Sequence, residues 1–157
     1  MSGLVISLIR YCIVVYGNST THSVTRIQKL LNFCARVVSG RKKREHVRDV
    51  LSELNWLPAE DLVMYRTLCL LKAILTYEQP ADLASHFRTA MSVRQRSTRQ
   101  DDHLVLPRIR TESGRRMFIY RGARAYNALP PSVRDGRTAA FKNALRIHMG
   151  QARQMQV

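Results

Sequence analysis

Apolar residues recur at three- and four-residue steps through the first half of the chain, which is the pattern of amphipathic α-helices. This pattern predicts helices over residues 4–16, 22–39, 45–54, 58–77 and 81–87. The second of these has Leu30, Leu31, Cys34 and Val37 among its apolar positions, and Gly40 is placed to end it in a left-handed conformation. The helix over 58–77 is apolar on more than one side, so we expect it at the centre of a helical bundle.

The second half of the chain has a less regular pattern. Residues 91–103 contain few apolar side chains and predict a flexible loop. Residues 104–108 and 117–120 resemble extended strands joined through Gly114, which predicts a small β-hairpin over 104–120. A helical turn over 123–129, a helix over 138–149 and a polar tail over 151–157 complete the chain.

The expected fold is therefore mainly α. It is a helical bundle around the central helix 58–77, with a small β-hairpin at 104–120 and a C-terminal helix. We expect residues 1–90 to form the bundle and residues 104–150 to form a basic hairpin-plus-helix segment of the same domain. The loop 91–103 connects the two parts, and a length of 157 residues fits one domain of ordinary size.

Composition adds a strong positive charge to this picture. The formal net charge is +15, and the residues from His86 onward carry 15 basic and 4 acidic side chains. Lys142 is the only lysine among those basic residues. Arginine suits bidentate contacts to phosphate and stacking on rings, so the excess favours nucleic acid as a partner, the alternative being a solvated basic face.

Three parts of the chain contain the candidate phosphate-binding residues. Between Leu104 and Pro131, arginines alternate with aromatic residues, and an i,i+4 basic pair follows in the last helix. A run of four basic residues follows Gly40, where a phosphate clamp, a nuclear localisation signal and a solvated loop are all possible interpretations. The candidates are Arg108, Arg110, Arg115, Arg116, Arg121, Arg124, Lys142, Arg146, Arg41, Lys42, Lys43 and Arg44.

No catalytic, cofactor or metal-binding motif is evident. The five histidines are scattered, and the three cysteines have no metal-ligand spacing, so we expect core thiols in a reducing compartment. Asp101-Asp102 precedes an apolar run but lacks the context of a two-metal polymerase site. Residues 4–16 fall short of the ~20 apolar residues of a membrane span and lack a signal-peptide pattern. We therefore expect a nuclear or cytoplasmic protein that is not secreted, is not an enzyme and binds no membrane.

A series of short motifs runs through the chain in a characteristic order. The motifs are Tyr16-Gly17, Arg26-Ile27-Gln28-Lys29-Leu30, Ala35-Arg36-Val37-Val38-Ser39-Gly40, Leu54-Asn55-Trp56-Leu57-Pro58, Tyr65, Lys72, Pro80-Ala81-Asp82-Leu83, Pro107-Arg108-Ile109-Arg110-Thr111, Phe118-Ile119-Tyr120-Arg121-Gly122-Ala123, Tyr126-Asn127-Ala128-Leu129-Pro130 and Phe141-Lys142. This series resembles the C-terminal part of reverse transcriptases from non-LTR retrotransposons (LINE-type, jockey-like), downstream of the catalytic palm, and covers about residues 8–149. A tyrosine stands at 126 where tryptophan is common, and the tryptophan often found after the first motif is missing.

The resemblance implies a thumb and post-thumb segment of an RNA-directed DNA polymerase, holding template RNA or target DNA without catalytic residues of its own. One alternative is a structural or interaction module whose helices pack against the missing palm and thumb of the parent protein. Such a module would expose an apolar patch around residues 4–15. A degenerate transposon relic without independent activity is also possible. A further alternative is an unrelated basic nuclear RNA-binding protein.

Overall fold

The computed structural model describes residues 2–17, 20–93 and 102–154, and within these ranges the chain is mainly α, as the sequence predicts. The only β-pairing in the described ranges is an isolated antiparallel bridge between Thr89 and Leu104. Eleven helices occur there: α1 (Ser2–Arg10), α2 (Ile13–Tyr16), α3 (Thr21–Ser39), α4 (Arg48–Glu53), α5 (Ala59–Tyr77), α6 (Ala81–Ala84), α7 (Ala90–Val93), α8 (Glu112–Arg116), α9 (Phe118–Asn127), α10 (Pro131–Arg134) and α11 (Thr138–Gln154).

The chain divides into two compact units, Met1–Met64 and Tyr65–Val157, so the division falls inside α5. We call them unit 1 and unit 2. The ends of α3 and α5 lie within one residue of their predicted positions, and Gly40 ends α3 with φ of 69°, as predicted. Glu60 and Asp61 occupy the first turn of α5, where the helix dipole favours acids.

Unit 1 has a core of aliphatic side chains from four helices. Ile6 and Ile9 of α1, Ile13 of α2, Leu31 of α3 and Leu62 of α5 are buried together. Burial of each such side chain contributes about 1.5–3 kcal/mol, so this cluster is the main source of stability in the unit. Trp56 packs against this cluster and also against a second one. The buried members of the second cluster are Ala35, Val47, Val50 and Leu51.

A side chain from α3 completes the first turn of α5. Gln28 accepts a hydrogen bond from the backbone N–H of Ala59 at 2.7 Å, and its amide group donates to Asn32 at 2.8 Å. The first N–H groups of a helix have no partner within the helix, and Ala59 is fully buried, so Gln28 satisfies a donor that water cannot reach.

Unit 2 has a core in which the rest of α5, α9 and α11 contribute buried residues. Leu71 and Ile74 of α5, Tyr126 of α9 and Phe141 of α11 are all buried, and the Tyr126 and Phe141 rings lie 6.4 Å apart. Gly122 lies close to α5, because a Cβ atom there would be 3.5 Å from the side chain of Leu71. Tyr126 is therefore a core residue.

The predicted N-terminal helix is in fact two helices. Cys12 adopts a left-handed conformation with φ of 50° between α1 and α2, and the hydroxyl of Tyr16 donates a hydrogen bond to the carbonyl of Ile9 across this break. The thiol of Cys12 is exposed, so the expectation that every cysteine lies in the core is wrong for this one. Cys34 is buried and Cys69 half-buried.

The predicted β-hairpin over 104–120 is wrong. Thr111 begins a helix there, because its hydroxyl accepts a hydrogen bond from the backbone N–H of Gly114 in the manner of an N-cap. The aromatic and β-branched residues after Met117, which resemble a strand, form α9, with Gly122, Ala123 and Tyr126 on its buried face. Burial of that face against α5 stabilises the helix more than the local strand propensity of these residues stabilises a strand.

The predictions of a loop over 91–103 and a tail over 151–157 can each be compared with the structure over part of their length. Of the predicted loop 91–103, residues 91–93 belong to α7, whereas residues 94–101 lie outside the described part of the chain. The predicted tail over 151–157 is wrong in its first part, because α11 continues to Gln154.

Candidate nucleic-acid interface

A segment without helix or strand, residues 105–110, presents two of the predicted arginines. We call this segment the arginine arm. Arg108 and Arg110 are exposed, whereas the residue between them, Ile109, is half-buried. Both arginine side chains are therefore accessible from solvent.

The start of the arginine arm is held by Asn127 of α9. The Asn127 side chain accepts a hydrogen bond from the backbone N–H of Leu104 and donates one to the Leu104 carbonyl, both at 2.8 Å. Two backbone bonds, Ala90 to His103 and Val105 to Arg88, each also 2.8 Å, join the same segment to the residues around α7. Leu104 is buried, so these bonds satisfy backbone groups that water does not reach.

The end of the arginine arm is fixed by α8. The Cγ2 atom of Ile109 is only 2.3 Å from where a Cβ of Gly114 would lie, so the close contact of this helix with the arm requires glycine at position 114. The arm is therefore held before Arg108, by the bonds at Leu104 and Val105, and again at Ile109, between its two arginines.

The two arginines that close α8 share one acid. Arg115 and Arg116 lie 3.8 and 3.9 Å from the carboxylate oxygens of Glu112, and the three side chains remain 56, 40 and 67% exposed. Positive charge in the last turn of a helix is favourable by itself. An exposed ion pair of this length is worth little, so both guanidinium groups remain able to contact another anion.

The arginines of α9 differ in environment. Arg124 is exposed, and Arg121 is half-buried. At the start of the same helix, the Phe118 ring meets the Phe87 ring edge-on at a centroid distance of 5.7 Å. Phe118 therefore packs within unit 2, and the aromatic residues of this stretch serve mainly to fix α9.

Lys142 and Arg146 are exposed on α11, beside the α5 residues Tyr65 and Cys69. Burial raises the pKa of Cys69, while the hydrogen bond with Tyr65 and the positive charge of Lys142 act in the opposite direction. Burial also raises the pKa of Tyr65, with Arg146 opposing it. The thiol and the phenol are therefore neutral at physiological pH and do not reduce the positive charge of this surface.

The basic run after α3 is an ordered loop in which the first member has a different role from the rest. Arg41 donates to the carboxylate of Asp49 at 2.5 Å and to the His46 carbonyl at 2.8 Å. The hydrogen bond from Asp49 raises the pKa of Arg41, and the same bond lowers the pKa of Asp49. Arg41 therefore holds the loop, whereas the exposed side chains of Lys42, Lys43 and Arg44 are the ones available to a phosphate.

The predicted residues thus lie on three parts of the chain: the stretch 104–131, the pair on α11, and the loop after α3. Sequence reasoning gave no structural role to Lys72 or Arg134. The ammonium group of Lys72 donates to the carbonyl of Arg134 at 2.6 Å and lies 5.5 Å from the centre of the Phe141 ring. Arg134 itself is buried, and its Nε and Nη1 atoms have no hydrogen-bond partner among the described residues.

Searches for other kinds of site gave negative results within the described ranges. No group of three or more histidine, cysteine, aspartate or glutamate residues lies close enough together there to hold a metal ion. Among the helices of residues 2–17, 20–93 and 102–154, none is both long enough and apolar enough to cross a membrane. Comparison of the chain with protein-family models, with curated proteins and with solved structures gave no match.

Proposed function

We propose that this chain is a non-catalytic nucleic-acid-binding segment that contacts the phosphate backbone. The observation that supports this function best is the arginine-rich surface of residues 104–131. Arg108, Arg110, Arg115 and Arg124 are exposed there, and Glu112 is the only acid between Asp102 and Asp135. Such a surface suits an anion that carries repeated charges, and phosphate contacts of this kind do not depend on base sequence.

The order of its motifs suggests that this segment belongs to the C-terminal part of a non-LTR retrotransposon reverse transcriptase. In that setting it would hold template RNA or target DNA for a palm located elsewhere in the parent protein. The exposed cations that follow Arg41 are compatible with nuclear import or with a further phosphate contact. An in-frame coding region upstream of Met1 that carries the paired palm acids would support this origin, and its absence would favour a relic or an independent protein.

The salt dependence of binding tests the nucleic-acid function directly. Fluorescence anisotropy with a labelled duplex measures affinity over a range of salt concentrations, and single-stranded RNA and an RNA–DNA hybrid are compared in the same way. If the six arginines predicted in 104–131 each neutralise a phosphate, the logarithm of the affinity falls with that of the salt concentration at a slope of roughly −5, about −0.9 per contact. An absence of binding at low salt, or an affinity that is independent of salt, would refute the proposal.

A double variant locates the contact. Arg108→Gln with Arg110→Gln removes two of these contacts, so the slope becomes shallower by about 1.8, and the affinity near 0.1 M salt falls roughly 60-fold if the salt-independent term is unchanged. The matched control, Arg48→Gln with Arg137→Gln, removes the same charge from exposed positions outside the stretch. An equal loss in both double variants would show that only net charge matters and that the arginine arm is not the contact.

A second candidate, an interaction module, is favoured by the N-terminal helices. Leu4, Leu8, Tyr11 and Val15 are 67–78% exposed, which is the exposure that this alternative expects. Contiguous apolar surface of this kind is typical of a protein–protein contact. Sedimentation of the chain tests it: self-association or aggregation that Leu8→Ser with Tyr11→Ser abolishes supports the second candidate, and a monomeric wild-type chain at high concentration contradicts it.

A further inference from the structure

Helix α3 has a second apolar stripe beside the face that it buries in unit 1. Its inward residues Leu31, Cys34 and Ala35 are buried. At 3.6 residues per turn, Leu30, Phe33 and Val37 lie together on the outward side, and they are 47, 62 and 65% exposed. Their spacing of i, i+3 and i+7 is the spacing at which one helix anchors on another.

The charged residues of α3 beside this stripe are all basic. Arg26 lies one turn before Leu30, and Lys29 lies one turn before Phe33, and both are exposed. Helix α3 contains no acid, and no acid precedes Glu45 in the chain, whereas eight basic residues do. The apolar stripe therefore has a positive border with no internal counter-charge from its own helix or from α1 and α2.

We propose that the Leu30–Phe33–Val37 stripe of α3 binds an amphipathic helix of another protein whose apolar positions are flanked by acids. The apolar side chains supply the buried contact, and the border of Arg26 and Lys29 selects a negative partner and sets its orientation. This interaction goes beyond the proposed nucleic-acid function, which uses the arginines of 104–131 and the cations that follow Arg41, and beyond the second candidate, which uses α1 and α2.

Other occupants fit the stripe less well. A second copy of the chain brings a net charge of +15 against a positive border. The chain's own residues outside the described ranges contain three arginines and a single acid, Asp101. A bilayer needs a broad apolar face, whereas this stripe is one side chain wide over two helical turns. A phosphate group would find no hydrogen-bond donor or positive charge on the side chains of Leu30 and Val37.

A synthetic helical peptide tests the proposal. The probe is a fluorescent, hydrocarbon-stapled peptide with leucine at the i, i+3 and i+7 positions and glutamate at the positions that the staple does not use, titrated with the full chain. The control probe has lysine in place of every glutamate. We expect the acidic peptide to bind and the basic one to bind at least tenfold more weakly. Phe33→Ser should weaken binding of the acidic peptide tenfold or more, as loss of a central aromatic anchor does.

Matched variants separate the parts of this proposal. Ile147→Ser removes a side chain of 61% exposure from α11 and should leave peptide binding unchanged. Arg26→Glu with Lys29→Glu should lower the affinity of the chain for the acidic peptide and raise its affinity for the basic one. Every variant is first checked for an unchanged melting temperature, and Val37→Ser replaces Phe33→Ser if that variant is less stable. Nucleic-acid affinity should be the same in Phe33→Ser as in the wild-type chain, so failure of one function does not imply failure of the other.

Four results would overturn the proposal. They are equal binding of acidic and basic peptides, equal losses in Phe33→Ser and Ile147→Ser, self-association of the chain through Phe33 in sedimentation, and Phe33-dependent binding to phosphatidylserine vesicles with no binding of the acidic peptide.

Discussion

Asn127 provides the sharpest test of how unit 2 is held together. Its side-chain amide makes two hydrogen bonds of 2.8 Å to the backbone of Leu104, 23 residues earlier in the chain. In Asn127→Ala, the N–H and C=O groups of Leu104 lose these partners at a position where only 3% of the residue is exposed. Each unsatisfied buried group costs about 1–3 kcal/mol, so we expect a loss of about 2–6 kcal/mol in the free energy of unfolding.

Thermal unfolding followed by circular dichroism measures this loss. For a chain of this size, 1 kcal/mol corresponds to roughly 2–4 °C, so the melting temperature of Asn127→Ala should fall by roughly 5–20 °C. Asn143→Ala is the matched control, because Asn143 is exposed on α11, and it should change the free energy of unfolding by no more than about 0.5 kcal/mol. Asn127→Asp retains an acceptor for the Leu104 N–H but loses the donor to the carbonyl, so its effect should be intermediate.

The same variant links stability to binding. Loss of the Asn127 bonds releases the start of the arginine arm but leaves Arg108 and Arg110 in place. Nucleic-acid affinity should therefore fall while the slope of its salt dependence stays the same. The reasoning is refuted if Asn127→Ala melts at the same temperature as Asn143→Ala.

Three further predictions concern other contacts. Glu112→Gln removes the shared counter-ion of α8, so nucleic-acid affinity measured by anisotropy should rise a few-fold, and a fall would contradict the assignment of that surface. Gly17→Ala places a Cβ 2.4 Å from the side chain of Val63, which should destabilise the chain by about 1–3 kcal/mol in urea unfolding, whereas Gly150→Ala meets nothing within 4 Å and should not. The lowered pKa of Asp49 means that its bond to Arg41 stabilises the fold above the unfolded pKa of Asp49 and is lost as pH falls through the folded one, so Asp49→Asn should abolish that part of the acid sensitivity.

Helices with a regular apolar period are the part of this fold that the sequence predicts well. α3 and α5 are each 19 residues long, and their apolar repeats extend over several turns, so the helical period is unambiguous. Gly40 was predictable for a local reason, because a left-handed residue at the end of a helix favours glycine. The choice of buried face was less predictable: Leu30 and Val37 belong to the apolar pattern of α3, yet they are exposed.

Contacts between residues far apart in the sequence explain why other features of the fold were not predicted. Residues 118–120 are aromatic or β-branched, and packing of α9 against α5 makes them helical. The Asn127 bonds to Leu104 and the Gln28 bond to Ala59 join residues 23 and 31 positions apart, and no periodic signal records such pairs. For the candidate site, the arginine-rich stretch was predictable from the sequence. The hydrogen bonds of Arg41 to Asp49 and His46, and the position of Glu112 between Arg115 and Arg116, were not.

The fastening of the arginine arm at two places has a consequence for the entropy of binding. Ordering a free backbone costs about 1–2 kcal/mol per residue, which for the six residues of the arm is on the order of 6–12 kcal/mol. In this chain that cost is met on folding, by the bonds of Asn127 at one place and the contact of Ile109 with Gly114 at the other. A polyanion that meets the folded arm loses none of its binding free energy to ordering that backbone. The same arginines on an unstructured peptide would have the same charge but a much lower affinity for the polyanion.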